Sequence, residues 1–114
     1  MQKTIKLDGG KDIKLAANAA TPFRFKQLFE KDLLRIFNES QKPDADNSEL
    51  ADVITELAFI MNRQATGGDM NDMSMNDFYA WLEDYEPMDF LIKSQDIINV
   101  YLSSAQPSVE SKKK

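Results

Sequence analysis

The sequence predicts a mostly α-helical α+β fold, in which an N-terminal β-hairpin precedes about four amphipathic helices. Residues 3–16 alternate apolar and charged side chains around a pair of glycines, and four later segments repeat apolar residues at intervals of three or four. With 114 residues, of which 42% are hydrophobic, the chain has the length of one domain with a substantial core. We expect residues 1–104 to form this domain and residues 105–114 to form a flexible polar tail.

Two strands, residues 3–8 and 11–16, are predicted to form the hairpin. Each strand carries aliphatic residues on one face and a lysine on the other, and the intervening "DGGK" offers glycines for a tight turn that requires positive φ. Two strands alone are marginally stable in water, so their apolar face must lie against the helices. The residues expected on that face are Ile5, Leu7, Ile13 and Leu15.

The first helix is predicted to begin with Thr21 as its N-cap and Pro22 in its first turn, and to end near Asn38. Phe23 and Leu34 fall outside its apolar stripe and are expected to face the hairpin or a partner. The stripe itself consists of Phe25, Leu28, Phe29, Leu33, Ile36 and Phe37.

A polar linker containing Pro43 leads into the second helix. This helix is predicted to end before "TGG", where Gly67 or Gly68 can adopt the left-handed conformation of a C-cap. Its candidate N-caps are Asp46, Asn47 and Ser48. Its apolar stripe consists of Leu50, Val53, Ile54, Leu57, Ala58, Ile60 and Met61.

The third helix is predicted to begin near Met75, because Ser74 and Asp77 have the spacing of a capping box. Its stripe consists of Phe78, Trp81, Leu82 and Tyr85. Pro87 separates it from a fourth helix over residues 88–104. One side of that helix is expected to carry Leu91, Ile98, Tyr101 and Leu102, with Phe90, Ile97 and Val100 near it.

The charge of the chain is unevenly distributed. The net charge is −5, but residues 43–92 hold twelve acidic residues against one basic residue, Arg63, which makes −11. A segment this acidic repels nucleic-acid phosphates and favours basic or apolar protein partners, so we expect no nucleic-acid partner. No apolar run approaches the ~20 residues of a membrane span, and the first residues lack the apolar segment of a secretion signal, so we expect no membrane association.

Several kinds of chemistry lack the residues that they need. The chain has no histidine and no cysteine, which removes zinc-type sites, thiol nucleophiles and histidine acid–base catalysis. Paired carboxylates occur, such as Glu83 with Asp84 or Asp69 with Asp72, but a glycosidase needs two of them facing one cleft, and exposed acidic residues near helix starts have a simpler explanation in the helix dipole. The glycine pairs lack the spacing of a phosphate-binding loop. We therefore predict that the protein is not an enzyme and uses no cofactor.

The stretch "GGDMNDMSMNDF", residues 67–78, resembles a calcium loop only in part. If Asp72 opened an EF-hand loop, Ser74 and Glu83 would fall on ligand positions, but the glycine required at its sharp bend is Asp77. We therefore expect no metal ion here. The methionines either adapt to apolar partners or belong to a plain connector, and the connector is the commoner case.

Binding to another protein is the remaining class of function. The candidate partner-binding residues lie on and just after the third helix: Phe78, Trp81, Leu82, Tyr85 and Met88. Trp81 and Tyr85 are one turn apart on a short acidic helix, and such aromatics often anchor interfaces. Large aromatics are also commonly buried, so the sequence leaves open whether these two belong to the core or to an interface.

Three segments carry a resemblance to a known family. They are "ATPFRFKQLFEKDLLRIF", "ELAFIMNRQA" and "DFYAWLEDYE", which follow the hairpin in this order, and the resemblance covers residues 3–104. Their arrangement resembles the small tail assembly chaperones of long-tailed siphovirus phages and prophages of Gram-positive bacteria. Two positions depart from the family, whose members often carry glycine in place of Glu30 and tryptophan in place of Tyr101. The matching positions include Arg24, Phe29, Asp32, Leu33, Leu57, Ala58, Phe59, Met61 and Ala65.

The resemblance implies a role in virion morphogenesis in the cytoplasm of the host cell. Members of the family bind the tape measure protein, a long helical chain that aggregates easily, and help tail tube (major tail) protein subunits assemble around it. They are absent from the mature virion. Many are also made in a longer form by programmed ribosomal frameshifting, which makes such an extended form a further expected partner. The lysines at 112–114 fit an A-rich slippery codon run and equally fit a plain basic tail.

A second class of function is left open by the same residues. A small acidic inhibitor, or an antitoxin-like adaptor, would use the acidic centre of the chain to occupy a basic protein surface. Salt separates the two classes, because an electrostatic complex weakens steeply with ionic strength and an apolar one does not. A carboxylate hydrolase is a third and weaker alternative. The oligomeric state is not decided by the sequence.

Overall fold

A computed structural model of the chain describes residues 2–7, 10–44, 48–68, 70, 73–86 and 88–105. Within these ranges an antiparallel two-stranded hairpin precedes six helices, so the predicted α+β fold class is confirmed. The elements are β1 (Gln2–Lys6), β2 (Asp12–Ala16), α1 (Thr21–Phe29), α2 (Leu33–Ser40), α3 (Ser48–Thr66), α4 (Met75–Leu82), α5 (Asp89–Ile92) and α6 (Ser94–Ala105).

The hairpin forms as predicted, with strands slightly shorter than expected. Ile5 pairs with Ile13, and the turn closes with the Leu7 N–H donating to the Lys11 carbonyl at 2.7 Å. Gly10 in the turn has φ +89°, a backbone conformation that residues with a Cβ rarely adopt. The apolar face of the hairpin is buried against α3 and α6. The predicted residues Ile5, Leu7, Ile13 and Leu15 are all buried.

Helix α3 lies at the centre of the molecule and contacts the hairpin and each of the helices α1, α2, α4, α5 and α6. Its predicted stripe is buried apart from Leu50, which is partly buried, and Phe59 is buried as well although it lies outside that stripe. The five consecutive residues 57–61 are all buried, which is typical of the middle of a central helix. The helix ends as predicted, with Gly67 at φ +78° and the Gly68 N–H donating to the Arg63 carbonyl. The candidate N-caps Asp46 and Asn47 lie outside the described residues.

Two amide side chains of α3 fasten the second strand. Asn62 donates through Nδ2 to the Lys14 carbonyl at 2.8 Å, and Gln64 donates through Nε2 to the Ala16 carbonyl at 2.6 Å. Gln64 also donates to Thr21 Oγ1 at 3.0 Å. These bonds supply partners for backbone carbonyls of β2, and they link the hairpin to the first turn of α1.

The prediction of one helix from Thr21 to Asn38 is wrong, because the segment forms two helices. Helix α1 ends at Phe29 and Glu30 follows in the left-handed conformation, at φ +58°. Asp32 then caps α2 by accepting a hydrogen bond from the Arg35 N–H at 3.2 Å. The apolar stripe continues across the break and its residues are buried or partly buried.

The start of α1 also differs from the prediction. The N-cap position belongs to Ala20, and Thr21 is the first residue of the helix. The buried Thr21 hydroxyl instead accepts a hydrogen bond from the Asn18 N–H at 2.9 Å. Phe23 and Leu34 are exposed, at 74% and 63%, so neither packs against the hairpin.

The predicted fourth helix is likewise two helices, α5 and α6, which are separated at Lys93. On the apolar side that the sequence indicated for this helix, Tyr101 is buried and Ile98 is partly buried, but Leu91 and Leu102 are exposed. The residues that pack into the core are Phe90, Ile97, Val100 and Tyr101. The apolar residues of this segment form two sets that are offset by one residue, such as Leu91 and Ile98 in one set and Phe90 and Ile97 in the other. Packing against α3 and the hairpin buries the set that contains Phe90 and Ile97.

Residues 106–114, and with them most of the predicted polar tail, lie outside the described residues. No helix within the described ranges is both long and apolar enough to cross a membrane.

Candidate functional site

An open groove runs between α3 and the segment formed by α4, α5 and their connection. It consists of two adjoining depressions, of about 320 Å³ and about 250 Å³. The two share Thr55 and Leu82, so they form one continuous feature, which we call the α3–α4 groove. The first depression is lined by Asp52, Thr55, Glu56, Phe78, Tyr79 and Leu82. The second is lined by Thr55, Leu82, Tyr85, Glu86 and Phe90.

Helix α4 is positioned by the predicted capping box. Ser74 Oγ accepts from the Asp77 N–H at 3.3 Å, and Asp77 Oδ2 accepts from the Ser74 N–H at 3.0 Å. The helix therefore begins at Met75, as the sequence predicts. It is anchored by the buried Phe78, whose ring lies edge-on to Phe29 and Phe59 with centroids 5.0 and 5.4 Å apart.

Trp81 is partly buried and does not line the groove. Its indole Nε1 donates to Asn62 Oδ1 at 2.9 Å, and its ring contacts Phe59 and stacks on Phe90 at centroid distances of 5.3 and 5.1 Å. Asn62 thus joins α4 to the hairpin, because its other amide atom binds the Lys14 carbonyl. Trp81 holds the apolar wall of the groove in place from behind.

Tyr85 lies at one end of the groove, where it contacts Trp81 and Phe90 at centroid distances of 4.8 and 5.0 Å. The Lys11 ammonium is 4.8 Å from its ring centroid and also donates to the Asp84 carbonyl. Burial is the main reason that the pKa of the Tyr85 hydroxyl is raised, and the neighbouring acidic side chains add to it. The hydroxyl therefore stays neutral at ordinary pH.

The structure brings three of the five candidate binding residues together in the groove. These are Phe78, Leu82 and Tyr85, whereas Trp81 lies behind the wall. Met88 does not line the groove and is 52% exposed, beside other exposed apolar residues of α5. The grouping of Phe78, Leu82 and Tyr85 follows from their spacing of three and four residues.

The sequence did not reveal the groove wall that α3 forms, and it revealed only part of the wall that α4 forms. The α3 wall is formed by Asp52, Thr55 and Glu56, and the α4 wall includes Tyr79, which is 56% exposed. A signal for the α3 wall exists in the sequence. Asp52 and Glu56 are one turn apart and each directly precedes a core residue, so they must border the apolar stripe.

The Glu56 side chain is only 12% exposed, and its carboxylate is paired with Lys31, whose Nζ lies 3.0 and 3.2 Å from the two oxygens. Burial raises the pKa of this carboxyl, the Lys31 ammonium opposes that shift, and the Asp52 and Glu49 carboxylates add to it. Of the described residues that line the groove, three are acidic and none is basic. The groove thus combines an apolar wall with a negatively charged one.

The methionines of the methionine-rich stretch differ in exposure, and Met75 at the start of α4 is 38% exposed. Met70 and Met73 are partly buried against the core and, with Arg24, Gln27 and Leu28, line a depression of about 60 Å³. This volume suits water and not a partner side chain.

Asp72, at which an EF-hand loop would have begun, lies outside the described residues. Among the residues that are described, no group of three or more carboxylates is arranged to hold a metal ion.

Comparison of the chain with known protein families, with curated proteins and with solved structures finds no match.

Proposed function

We propose that this protein is a phage tail assembly chaperone. It binds the tape measure protein, helps tail tube subunits assemble around it in the host cytoplasm, and is absent from the finished virion. The observation that carries the proposal is that three segments, in this order along the chain, resemble those of the small tail assembly chaperones. The segments are "ATPFRFKQLFEKDLLRIF", "ELAFIMNRQA" and "DFYAWLEDYE". The second and third of these segments lie on α3 and on α4 with the residues that follow it, the elements that border the α3–α4 groove.

The backbone at Glu30 supports the resemblance at a point where the residue itself departs from it. The family often has glycine at this position, and Glu30 has φ +58°, in the left-handed region that glycine favours. The helix break that a glycine would mark is therefore present here without the glycine. The residue type at this position differs from the family, but the backbone conformation is the one that glycine favours.

The α3–α4 groove has the properties that a temporary holder of a helical client needs. It is open, it presents the exposed Tyr79 and the partly buried Leu82 to a partner, and it has an acidic wall that keeps the chaperone soluble. Its apolar area is modest, which suits a client that must later be released to the assembling tube. A binding role without catalysis is part of the proposal.

Co-expression with the tape measure protein of the same phage tests the proposed function. We expect the wild-type chain to keep the tape measure protein soluble and to co-purify with it, and we expect Leu82→Ser to reduce the captured fraction about tenfold. Leu102→Ser, at an exposed leucine on α6 outside the groove, is the matched control and should behave as wild type. If the wild type leaves the tape measure protein insoluble and unbound, the proposal fails.

A separate observation favours the acidic inhibitor as a second candidate. The groove wall presents Asp52 and Glu56, which are two of the twelve acidic residues of segment 43–92. Salt distinguishes the candidates, because a complex held by apolar contacts survives in several hundred millimolar salt and an electrostatic one dissociates.

The frameshift-extended form is tested by reading the nucleotides over lysines 112–114 for an overlapping frame.

A further inference from the structure

The two walls of the α3–α4 groove differ in chemistry. The α4 wall presents Phe78, Tyr79 and Leu82, and it is extended by Tyr85 and Phe90. The opposite wall, on α3, presents the Asp52 and Glu56 carboxylates on either side of Thr55. A partner that fills the groove must therefore be apolar towards one wall and polar towards the other.

The acidic wall sets the sign of the partner's charge. Glu56 is already paired with Lys31, but among the described residues the other carboxylate of this wall, Asp52, has no ion-pair partner. A neutral or anionic partner that covered these carboxylates would remove water from them without compensation, which is costly. A partner that brings a lysine or arginine to them avoids this cost and gains an ion pair.

The dimensions of the groove set the size of the partner segment. Helix α4 has eight residues, which rise about 12 Å at 1.5 Å per residue. This length matches about two turns of a partner helix, and each depression accommodates one or two of its apolar side chains. Because Glu56 is already paired with Lys31, the carboxylate of α3 that remains for a cationic residue of the partner is Asp52.

We infer that the α3–α4 groove binds an amphipathic helix whose apolar stripe is flanked along one edge by lysine or arginine. The apolar stripe packs on Tyr79 and Leu82, and the cationic edge faces Asp52 on the α3 wall. The inference rests on the proposed function in that it names the chemistry of the client segment. The specificity for cationic flanks comes from the α3 wall, and the apolar wall supplies most of the affinity.

Three synthetic 18-residue helices with one leucine stripe test the inference. They differ only in the residue that flanks the stripe, which is lysine, glutamine or glutamate, and a fourth peptide scrambles the lysine version. Binding to the full chain is measured by isothermal titration calorimetry in physiological salt. We expect the lysine peptide to bind about tenfold more tightly than the glutamate peptide, with glutamine between them, because lysine can form an ion pair with the α3 wall and glutamate is repelled by it.

Variants of the chain assign the preference to the groove. Asp52→Asn should lower the lysine-to-glutamate ratio about threefold, and Asp52→Lys should reverse the order of the two peptides. Leu82→Ser should weaken all three helical peptides. The control is Asp44→Asn, which removes the same charge from an exposed carboxylate outside the groove and should leave the ratio unchanged. Circular dichroism melts of all variants show whether each retains the fold.

Several outcomes would overturn the inference. It fails if the scrambled peptide binds as well as the lysine helix, if Asp44→Asn acts like Asp52→Asn, or if no peptide binds. It also fails if the chain forms a dimer that Leu82→Ser dissociates, because a second copy would then occupy the groove. Capture of the tape measure protein without a lysine preference would overturn this inference alone. A lysine preference without capture of the tape measure protein would overturn the proposed function alone.

Discussion

Glu56 illustrates at the residue scale how burial and pairing compete. Its carboxylate is nearly covered by the protein, its partner Lys31 reaches it from the break between α1 and α2, and the Asp52 and Glu49 carboxylates lie close by. Burial is the largest influence, so the pKa of the Glu56 carboxyl lies above its ordinary value of 4.5. The ion pair thus lessens the cost of burying the charge without removing it.

This raised pKa predicts the pH dependence of one substitution. The folded state binds the Glu56 proton more tightly than the unfolded state does. The stability that Glu56 contributes through this proton is therefore present below pH 4.5 and is lost as the pH rises through the folded-state pKa. Glu56→Gln should therefore gain stability relative to wild type between pH 4 and pH 7. Urea unfolding of both proteins at the two pH values measures this difference.

The control for this measurement is Glu39→Gln, at a side chain that is 56% exposed and pairs with Arg35 on the protein surface. We expect its stability difference from wild type to stay within about 0.5 kcal/mol at both pH values. If Glu56→Gln instead loses stability relative to wild type as the pH rises, the Lys31 pair outweighs burial and our reading of this site is wrong.

At the element scale, the ends of helices were predictable where a side chain or a glycine defines them locally. The Ser74 and Asp77 capping box and the Gly67 C-cap are such cases, and both were predicted correctly. The break at Glu30 was not predicted, because residues 23–38 contain no glycine or proline to mark it. It depends on Asp32 capping α2 and on Phe29 and Leu33 both reaching the core.

The left-handed conformation of Glu30 predicts that glycine stabilises the protein at this position. Left-handed backbone costs a residue with a Cβ about 1–2 kcal/mol, whereas the extra freedom of unfolded glycine costs about 0.5–1 kcal/mol. Glu30→Gly should therefore raise the free energy of unfolding by about 0.5–1 kcal/mol, measured by urea titration. Glu30→Ala keeps the Cβ and should give no such gain. Equal effects of glycine and alanine would show that the backbone at this position is unstrained.

At the scale of the whole molecule, the hairpin and the helices share one core around α3. Leu15 and Phe25 are fully buried, and the side chains of Asn62 and Gln64 bond α3 to backbone carbonyls of β2. The hairpin is therefore part of the cooperative unit and not an attached flap. The same packing holds α4 against α3 and so keeps the groove open.

This shared core predicts the effect of truncating one hairpin side chain. Leu15→Ala should lower the free energy of unfolding by about 2–5 kcal/mol, as for other fully buried leucines. Because the core is shared, far-ultraviolet circular dichroism and Trp81 fluorescence should report one coincident transition. Phe23→Ala, at an exposed side chain, should cost less than about 0.5 kcal/mol. A fluorescence transition that is separate from the helical one would contradict the single cooperative unit.

The sequence by itself determined the elements whose signals are local. Alternation around glycines defined the hairpin, periodic apolar residues defined the helical segments, and caps defined the start of α4 and the end of α3. These signals involve residues within a few positions of one another, so they can be read along the chain. The same periodicity grouped Phe78, Leu82 and Tyr85, which all line the groove.

Only the tertiary structure decided which of several equivalent surfaces is covered. It selected Phe90 and Ile97 over Leu91 as core residues, turned Trp81 away from the groove, and set the acidic wall of α3 opposite the apolar wall of α4. Each of these outcomes depends on what lies across from a side chain, at a distance along the chain that no local pattern reports.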